Sequence, residues 1–93
     1  MKSSEKRAHI LIIDDDKLLC KTITRMVDSL GHRHTSANSV KDGYDALYSG
    51  VYDVVMLDVE LPDGSGLDMI RDIKKRKDSP EVIIITGAGD PDG

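Results

Sequence analysis

Short runs of apolar residues alternate along this chain with longer segments in which apolar residues recur every three or four positions. Three apolar runs span residues 9–13, 54–57 and 82–85. Residues 34–37 are mostly polar, so they are predicted to be a strand only because of their place in the alternation. Apolar runs of this length are typical of strands buried on both faces. Strict alternation of strands and helices predicts an α/β domain with a parallel sheet and right-handed crossovers.

Three helices are predicted between these strands. Gly31 and Gly50 suit the ends of the first two helices, and Ser79 with Pro80 is expected to stop the third. The predicted N-caps are Asp16, Ser39 and Ser65. The side chains expected to be buried are Leu19, Ile23, Met26, Val27 and Leu30 in the first helix, Val40, Ala46, Leu47 and Tyr48 in the second, and Leu67, Ile70 and Ile73 in the third.

Three aspartates directly follow apolar strands. Asp14 and Asp15 come after the first run, and Asp58 comes after the third. Because parallel strands end at the same edge of a sheet, these acids are expected to meet where α/β domains bind their ligands. Each ionised pair at about 4 Å costs on the order of 4 kcal/mol at an effective dielectric constant near 20, so that a divalent cation is expected.

Mg²⁺ suits such a cluster, because it is held by one or two carboxylates, waters and a substrate phosphate. One carboxylate is then left to act as a nucleophile on phosphorus. The alternative is that residues 14–16 are only the polar start of a loop that caps a helix. Other phosphate motifs are missing: the third glycine of a dinucleotide fingerprint would fall at Met69, and the chain has no Gly-Lys-Ser/Thr P-loop.

Composition and charge narrow the class of protein. The chain has 93 residues, of which 39% are hydrophobic and 32% charged, as expected for one soluble globular domain. Its net charge of −4 argues against a nucleic-acid surface. No apolar run is long enough to span a bilayer, and residues 1–9 lack the apolar core of a signal peptide, so we expect a cytoplasmic protein. Cys20 is expected to be a small core residue.

Residues 10–16, 52–66 and 82–87 together resemble the receiver domain of bacterial two-component response regulators. They read ILIIDDD, YDVVMLDVELPDGSG and VIIITG, in the family's order and at appropriate intervals. The resemblance implies a flavodoxin-like (CheY-like) three-layer fold with a parallel sheet of strand order 2-1-3-4. Residues 61–66 and 86–93 also resemble receivers of NtrC-type transcription regulators.

By this resemblance, Asp58 is the phosphoacceptor and accepts a phosphoryl group from a sensor histidine kinase, which switches an output function. Asp14 and Asp15 form the acidic pair, and Mg²⁺ is the expected cofactor. Asp15, Asp58 and the backbone carbonyl of Glu60 would contact the metal directly, and Thr86 would contact the phosphoryl group and move on activation. Such a domain promotes its own phosphorylation and dephosphorylation and is not a conventional enzyme.

The chain also departs from the family. A receiver continues through a further helix, a strand bearing a lysine that pairs with the phosphoryl group, and a last helix, so we expect residues 1–93 to be a C-terminally incomplete receiver domain. The strand at 82–85 would then lack cover. The alternative function is therefore a phosphorylation-independent interaction module that forms a homodimer or exchanges strands. No contact with nucleic acid or membrane is expected.

Overall fold

The computed structural model describes residues 7–85. The chain folds into elements that follow one another as β1 (His9–Ile13), α1 (Lys17–Ser29), β2 (Arg33–Ala37), α2 (Val40–Ser49), β3 (Val54–Asp58), β4 (Glu60–Leu61), β5 (Gly64–Ser65), α3 (Gly66–Lys74) and β6 (Glu81–Ile85). None of the helices in this range is long and apolar enough to cross a membrane.

The four long strands form one parallel sheet in the order β2-β1-β3-β6. Because β6 is the fourth of the strands predicted from the sequence, the predicted order 2-1-3-4 is confirmed. The register places Ile13 beside both Ala37 and Leu57, so that β1, β2 and β3 end at the same level. A small antiparallel hairpin of β4 and β5 follows β3.

The two faces of the sheet pack against different helices. Successive residues of a strand point to opposite faces. Leu11 and Ile13 share one face and belong to a buried cluster with side chains of α2 and α3. Ile12 is equally buried but lies outside that cluster, on the face where α1 packs against β1 and β2. The main cluster comprises Leu11, Ile13, Ala37, Leu47, Tyr52, Val55, Leu57, Leu61, Met69 and Ile73.

The predicted helix starts are confirmed. The side chains of Asp16, Ser39 and Ser65 each accept hydrogen bonds from backbone N–H groups of the helix that follows. Gly31 follows α1 with φ of +85°, a conformation that favours glycine. The end predicted for the third helix is wrong, since α3 ends at Lys74 and not near Pro80. Its last turn tightens there, because Arg76 N–H donates to the carbonyl of Ile73, only three residues back.

Some side chains predicted to be buried are exposed. They include Met26, Tyr48 and Leu67, each of which is next in sequence to a residue that does face the core, namely Val27, Leu47 and Gly66. Adjacent helical residues point about 100° apart, so that only one of the two can lie at the centre of the buried stripe. Leu30 is exposed on the same flank of α1 as Met26.

Strand β6 lies at the edge of the sheet in the described residues. Ile83 is 48% exposed and Ile84 is 50% exposed, although neighbouring residues of a strand point to opposite faces. Both faces of β6 are therefore partly uncovered within residues 7–85. This agrees with the expectation for residues 82–85.

Candidate functional site

The structure brings Asp14, Asp15 and Asp58 together at the carboxyl edge of the sheet. Ile13 of β1 is paired with Leu57 of β3, so the aspartates that follow these two residues come side by side. One carboxylate oxygen from each of the three aspartates lies within 4.8 Å of the others. At this separation an ionised pair costs on the order of 3 kcal/mol at an effective dielectric constant of about 20.

Asp14 is the most deeply buried acid of this cluster, with 1% of its surface exposed. Its Oδ1 accepts a hydrogen bond of 2.8 Å from Asp16 N–H, whereas Oδ2 is buried and has no hydrogen-bond partner among the described residues. Burial raises the pKa of Asp14 most, the Asp16 N–H opposes this, and the negative charges of Asp58 and Asp15 raise the pKa further. Because a buried charged oxygen without a partner is costly, Asp14 Oδ2 needs a cation or a proton.

Asp58 is the last residue of β3 and is 5% exposed. Its Oδ1 accepts a hydrogen bond of 3.0 Å from Glu60 N–H, which is the local turn that aspartate side chains often make two residues onward. This bond folds residue 60 back toward the carboxylate. The Glu60 side chain is exposed, and Glu60 begins the hairpin, where it is paired with Ser65.

Gly66 contacts the backbone of the proposed phosphoacceptor. Its N–H donates to the Val59 carbonyl at 2.9 Å, and a Cβ atom at this position would lie 2.5 Å from the Asp58 carbonyl oxygen. Glycine is needed here, since α3 can begin against β3 only where no side chain intervenes.

Asp63 caps a helix, a role that the sequence did not predict. Its carboxylate accepts hydrogen bonds from Val40 N–H at 2.7 Å and from Lys41 N–H at 3.1 Å, and so caps α2 from the hairpin that follows Asp58. These two backbone donors hold the pKa of Asp63 below its usual value. The sequence gives no signal for this link, because more than twenty residues separate the partners.

The acid cluster fits a hard divalent cation. It offers carboxylate oxygens, which Mg²⁺ prefers, and the buried Asp14 Oδ2 has no hydrogen-bond partner within residues 7–85. A cation would also offset the repulsion among three acids. Thr86, predicted as the residue that contacts the phosphoryl group, lies outside the described residues.

Known proteins similar to this chain in sequence are regulatory proteins. The family described as the response regulator receiver domain matches residues 10–93. A curated relative is the uncharacterized transcriptional regulatory protein YkoG of Bacillus subtilis, with 32% identity over 87% of this chain. The chain spans only 36% of the length of YkoG.

Two solved structures of the same response regulator, TrrA of Thermotoga maritima, are also similar. In complex with Mg²⁺ and BeF, TrrA has 28% identity and a TM-score of 0.80, with 88% of this chain and 71% of that chain covered. In the structure of the histidine kinase ThkA with TrrA, the similar chain has 29% identity and a TM-score of 0.77, with 86% of this chain and 69% of that chain covered.

Proposed function

Because the chain belongs to the response regulator receiver domain family of two-component systems, we propose that it accepts a phosphoryl group from a histidine kinase onto Asp58. The observation that carries this proposal is the convergence of Asp58 with Asp14 and Asp15 at the end of two neighbouring strands. A similar response regulator has been solved with its histidine kinase, which supports this class of partner.

In the proposed reaction, a carboxylate oxygen of Asp58 attacks the phosphorus of a phosphohistidine. The oxygen–phosphorus bond forms as the nitrogen–phosphorus bond breaks, and the electron pair returns to the imidazole, which takes up a proton from solvent. The bond from Glu60 N–H to Oδ1 orients the Asp58 carboxylate. Hydrolysis would end the signal: water attacks the phosphorus, the bond from the Asp58 oxygen to phosphorus breaks, and inorganic phosphate leaves the restored carboxylate. In this proposal the domain promotes its own phosphorylation and dephosphorylation and does not turn over a separate substrate.

Mg²⁺ is the proposed cofactor, supported by the TrrA complex that contains it. Asp14, Asp15 and Asp58 would hold it together with the Glu60 carbonyl. When bound, the metal neutralises negative charge on the carboxylates and the incoming phosphoryl oxygens. Thr86 would contact the phosphoryl group. The relative YkoG is a transcriptional regulatory protein, so we propose control of transcription as the output of the whole protein.

The test is incubation with a small acyl-phosphate donor and Mg²⁺, followed by intact mass measurement. We expect a gain of one phosphoryl group that needs Mg²⁺ and is lost in Asp58→Asn. Asp45→Asn is the matched control, since Asp45 is exposed and its carboxylate contacts Lys41 on the outside of α2. A gain that survives in Asp58→Asn would refute the assigned acceptor.

The family match does not favour the alternative of a phosphorylation-independent interaction module. Self-association through β6 nevertheless stays a prediction, motivated by the exposure of Ile83 and Ile84. A sedimentation profile that stays monomeric at high concentration would contradict it.

A further inference from the structure

The backbone carbonyl of Asp14 accepts two hydrogen bonds from side chains outside the sheet. Asn38 Nδ2 donates to it at 2.8 Å, and the Cys20 thiol donates at 3.4 Å. Asn38 Nδ2 also lies 3.6 Å from Cys20 Sγ, so that the two donors contact each other. On its other side, the Asp14 N–H donates to the Ala37 carbonyl at 3.0 Å.

These bonds fix the peptide that links Asp14 to Asp15. A peptide unit is planar, so a carbonyl held at residue 14 also sets the direction in which the chain leaves toward residue 15. With Oδ1 held by Asp16 N–H, the backbone and one carboxylate oxygen of Asp14 are fixed, and the buried Oδ2 is the oxygen that has no partner among residues 7–85. The fixed peptide therefore directs two of the three acids.

We propose that Asn38, assisted by Cys20, is a positioning residue for the metal-binding acids. This inference rests on the proposed function, because it assigns Asn38 a role toward the cation that the acids would hold. Asn38 follows β2 and makes no contact with the carboxylates in the hydrogen bonds described above, so that it acts through the Asp14 carbonyl alone. Three mutually repelling carboxylates relax apart unless the backbone holds them, and partners of this indirect kind tune metal affinity.

A merely structural role for Asn38 predicts a different result. Asn38 and Cys20 line a groove of about 300 Å³ between α1 and β2, together with Lys17, Lys21, Thr24 and Ser36. If Asn38 only filled this groove, its loss would lower stability and leave the Mg²⁺ affinity unchanged. Ser36 is the matched control, since it lines the same groove without a hydrogen bond to Asp14 in the described residues.

The experiment measures the dissociation constant for Mg²⁺ by calorimetric titration, and stability by urea unfolding without Mg²⁺. The variants are Asn38→Ala, Ser36→Ala, Cys20→Ala and Cys20→Ser. For Asn38→Ala we expect a dissociation constant raised about tenfold, the lower end of the usual effect of such indirect partners. Cys20→Ala should raise it less, because a thiol is a weak donor, and Cys20→Ser, which keeps a donor, should restore it.

An unchanged dissociation constant in Asn38→Ala would overturn the inference, whatever the change in stability. An equal loss of affinity in Ser36→Ala would also overturn it, since the effect would then belong to the groove. If Asn38→Ala does not fold, the two Cys20 variants decide, because affinity that is lost with alanine and restored with serine supports the inference and equal affinities overturn it. A wild-type protein that does not bind Mg²⁺ would refute the proposed function itself.

Discussion

Replacing Gly66 by alanine tests the contact that sets α3 against the end of β3. The added Cβ would lie 2.5 Å from the Asp58 carbonyl oxygen and 3.0 Å from the Val59 Cα. Both neighbours are backbone atoms, so the strand or the helix must shift by at least about half an ångström to reach even the 3.0 Å limit of real contacts. Overpacking of this kind costs roughly 1–3 kcal/mol.

Gly43→Ala is the matched control, since Gly43 lies inside α2. Its Cβ would meet Ile13 Cδ1 and Met69 Cε at 3.1 Å, and both atoms are the ends of flexible side chains. Alanine also gains up to about 1 kcal/mol of helix propensity there. We expect Gly43→Ala to change the free energy of unfolding by less than about 1 kcal/mol.

Thermal and urea unfolding of the two variants check this reasoning. For Gly66→Ala we expect a loss of about 1–3 kcal/mol and a fall in Tm of about 4–8 °C for each kcal/mol. Because the shift moves the Asp58 backbone, Mg²⁺ affinity should fall as well. A Gly66→Ala protein as stable as Gly43→Ala would refute the claim that the backbone contact requires glycine.

Three further predictions concern charged and polar groups. Burial raises the pKa of Asp14, so the metal-free wild type loses stability as pH rises above 3.8 through the higher native pKa. Asp14→Asn should therefore be more stable than the wild type in urea unfolding at pH 7, by a margin that vanishes toward pH 3.8, and it should lose Mg²⁺ binding. The pKa of Asp63 is lowered, so its stabilisation of α2 is present above pH 3.8 and is lost as pH falls through the native pKa. Asp63→Ala should therefore lower the urea midpoint at pH 7. An equally lowered midpoint well below the native pKa would contradict the capping role. The Tyr44 hydroxyl donates to Asp72 at 2.5 Å and links α2 to α3. Tyr44→Phe should cost about 0.5–1 kcal/mol of stability. In ultraviolet titration we expect the wild type to have a tyrosine ionisation at a pKa of about 12, raised by burial and by the bond to Asp72, and we expect Tyr44→Phe to lack it.

Much of the fold follows from local signals. Three apolar runs and the alternation of strands with helices predicted the four parallel strands, and the strand ends predicted that Asp14, Asp15 and Asp58 meet at one edge of the sheet. Caps such as Asp16 and Ser39 could be predicted because a short polar side chain bonds to the backbone within three residues. These features depend on neighbours in sequence or on the general geometry of parallel sheets.

The remaining features depend on neighbours in space. Asp63 caps α2 from more than twenty residues away, and Asn38 reaches Asp14 across a similar distance, so no local pattern indicates either bond. Tyr48 and Leu67 were placed in the core wrongly, because a short apolar stripe leaves its centre ambiguous by one residue. The need for glycine at position 66 likewise comes from the approach of α3 to β3.

The central claim is that the carboxylate of Asp58 receives phosphorus within this acid cluster. The most direct measurement is reductive trapping of the phosphorylated protein with borohydride, followed by peptide mass mapping, since reduction of an aspartyl phosphate leaves homoserine at the modified residue. We predict homoserine at position 58, formed only when Mg²⁺ is present during phosphorylation. Homoserine at another aspartate, with position 58 unmodified, would contradict the account.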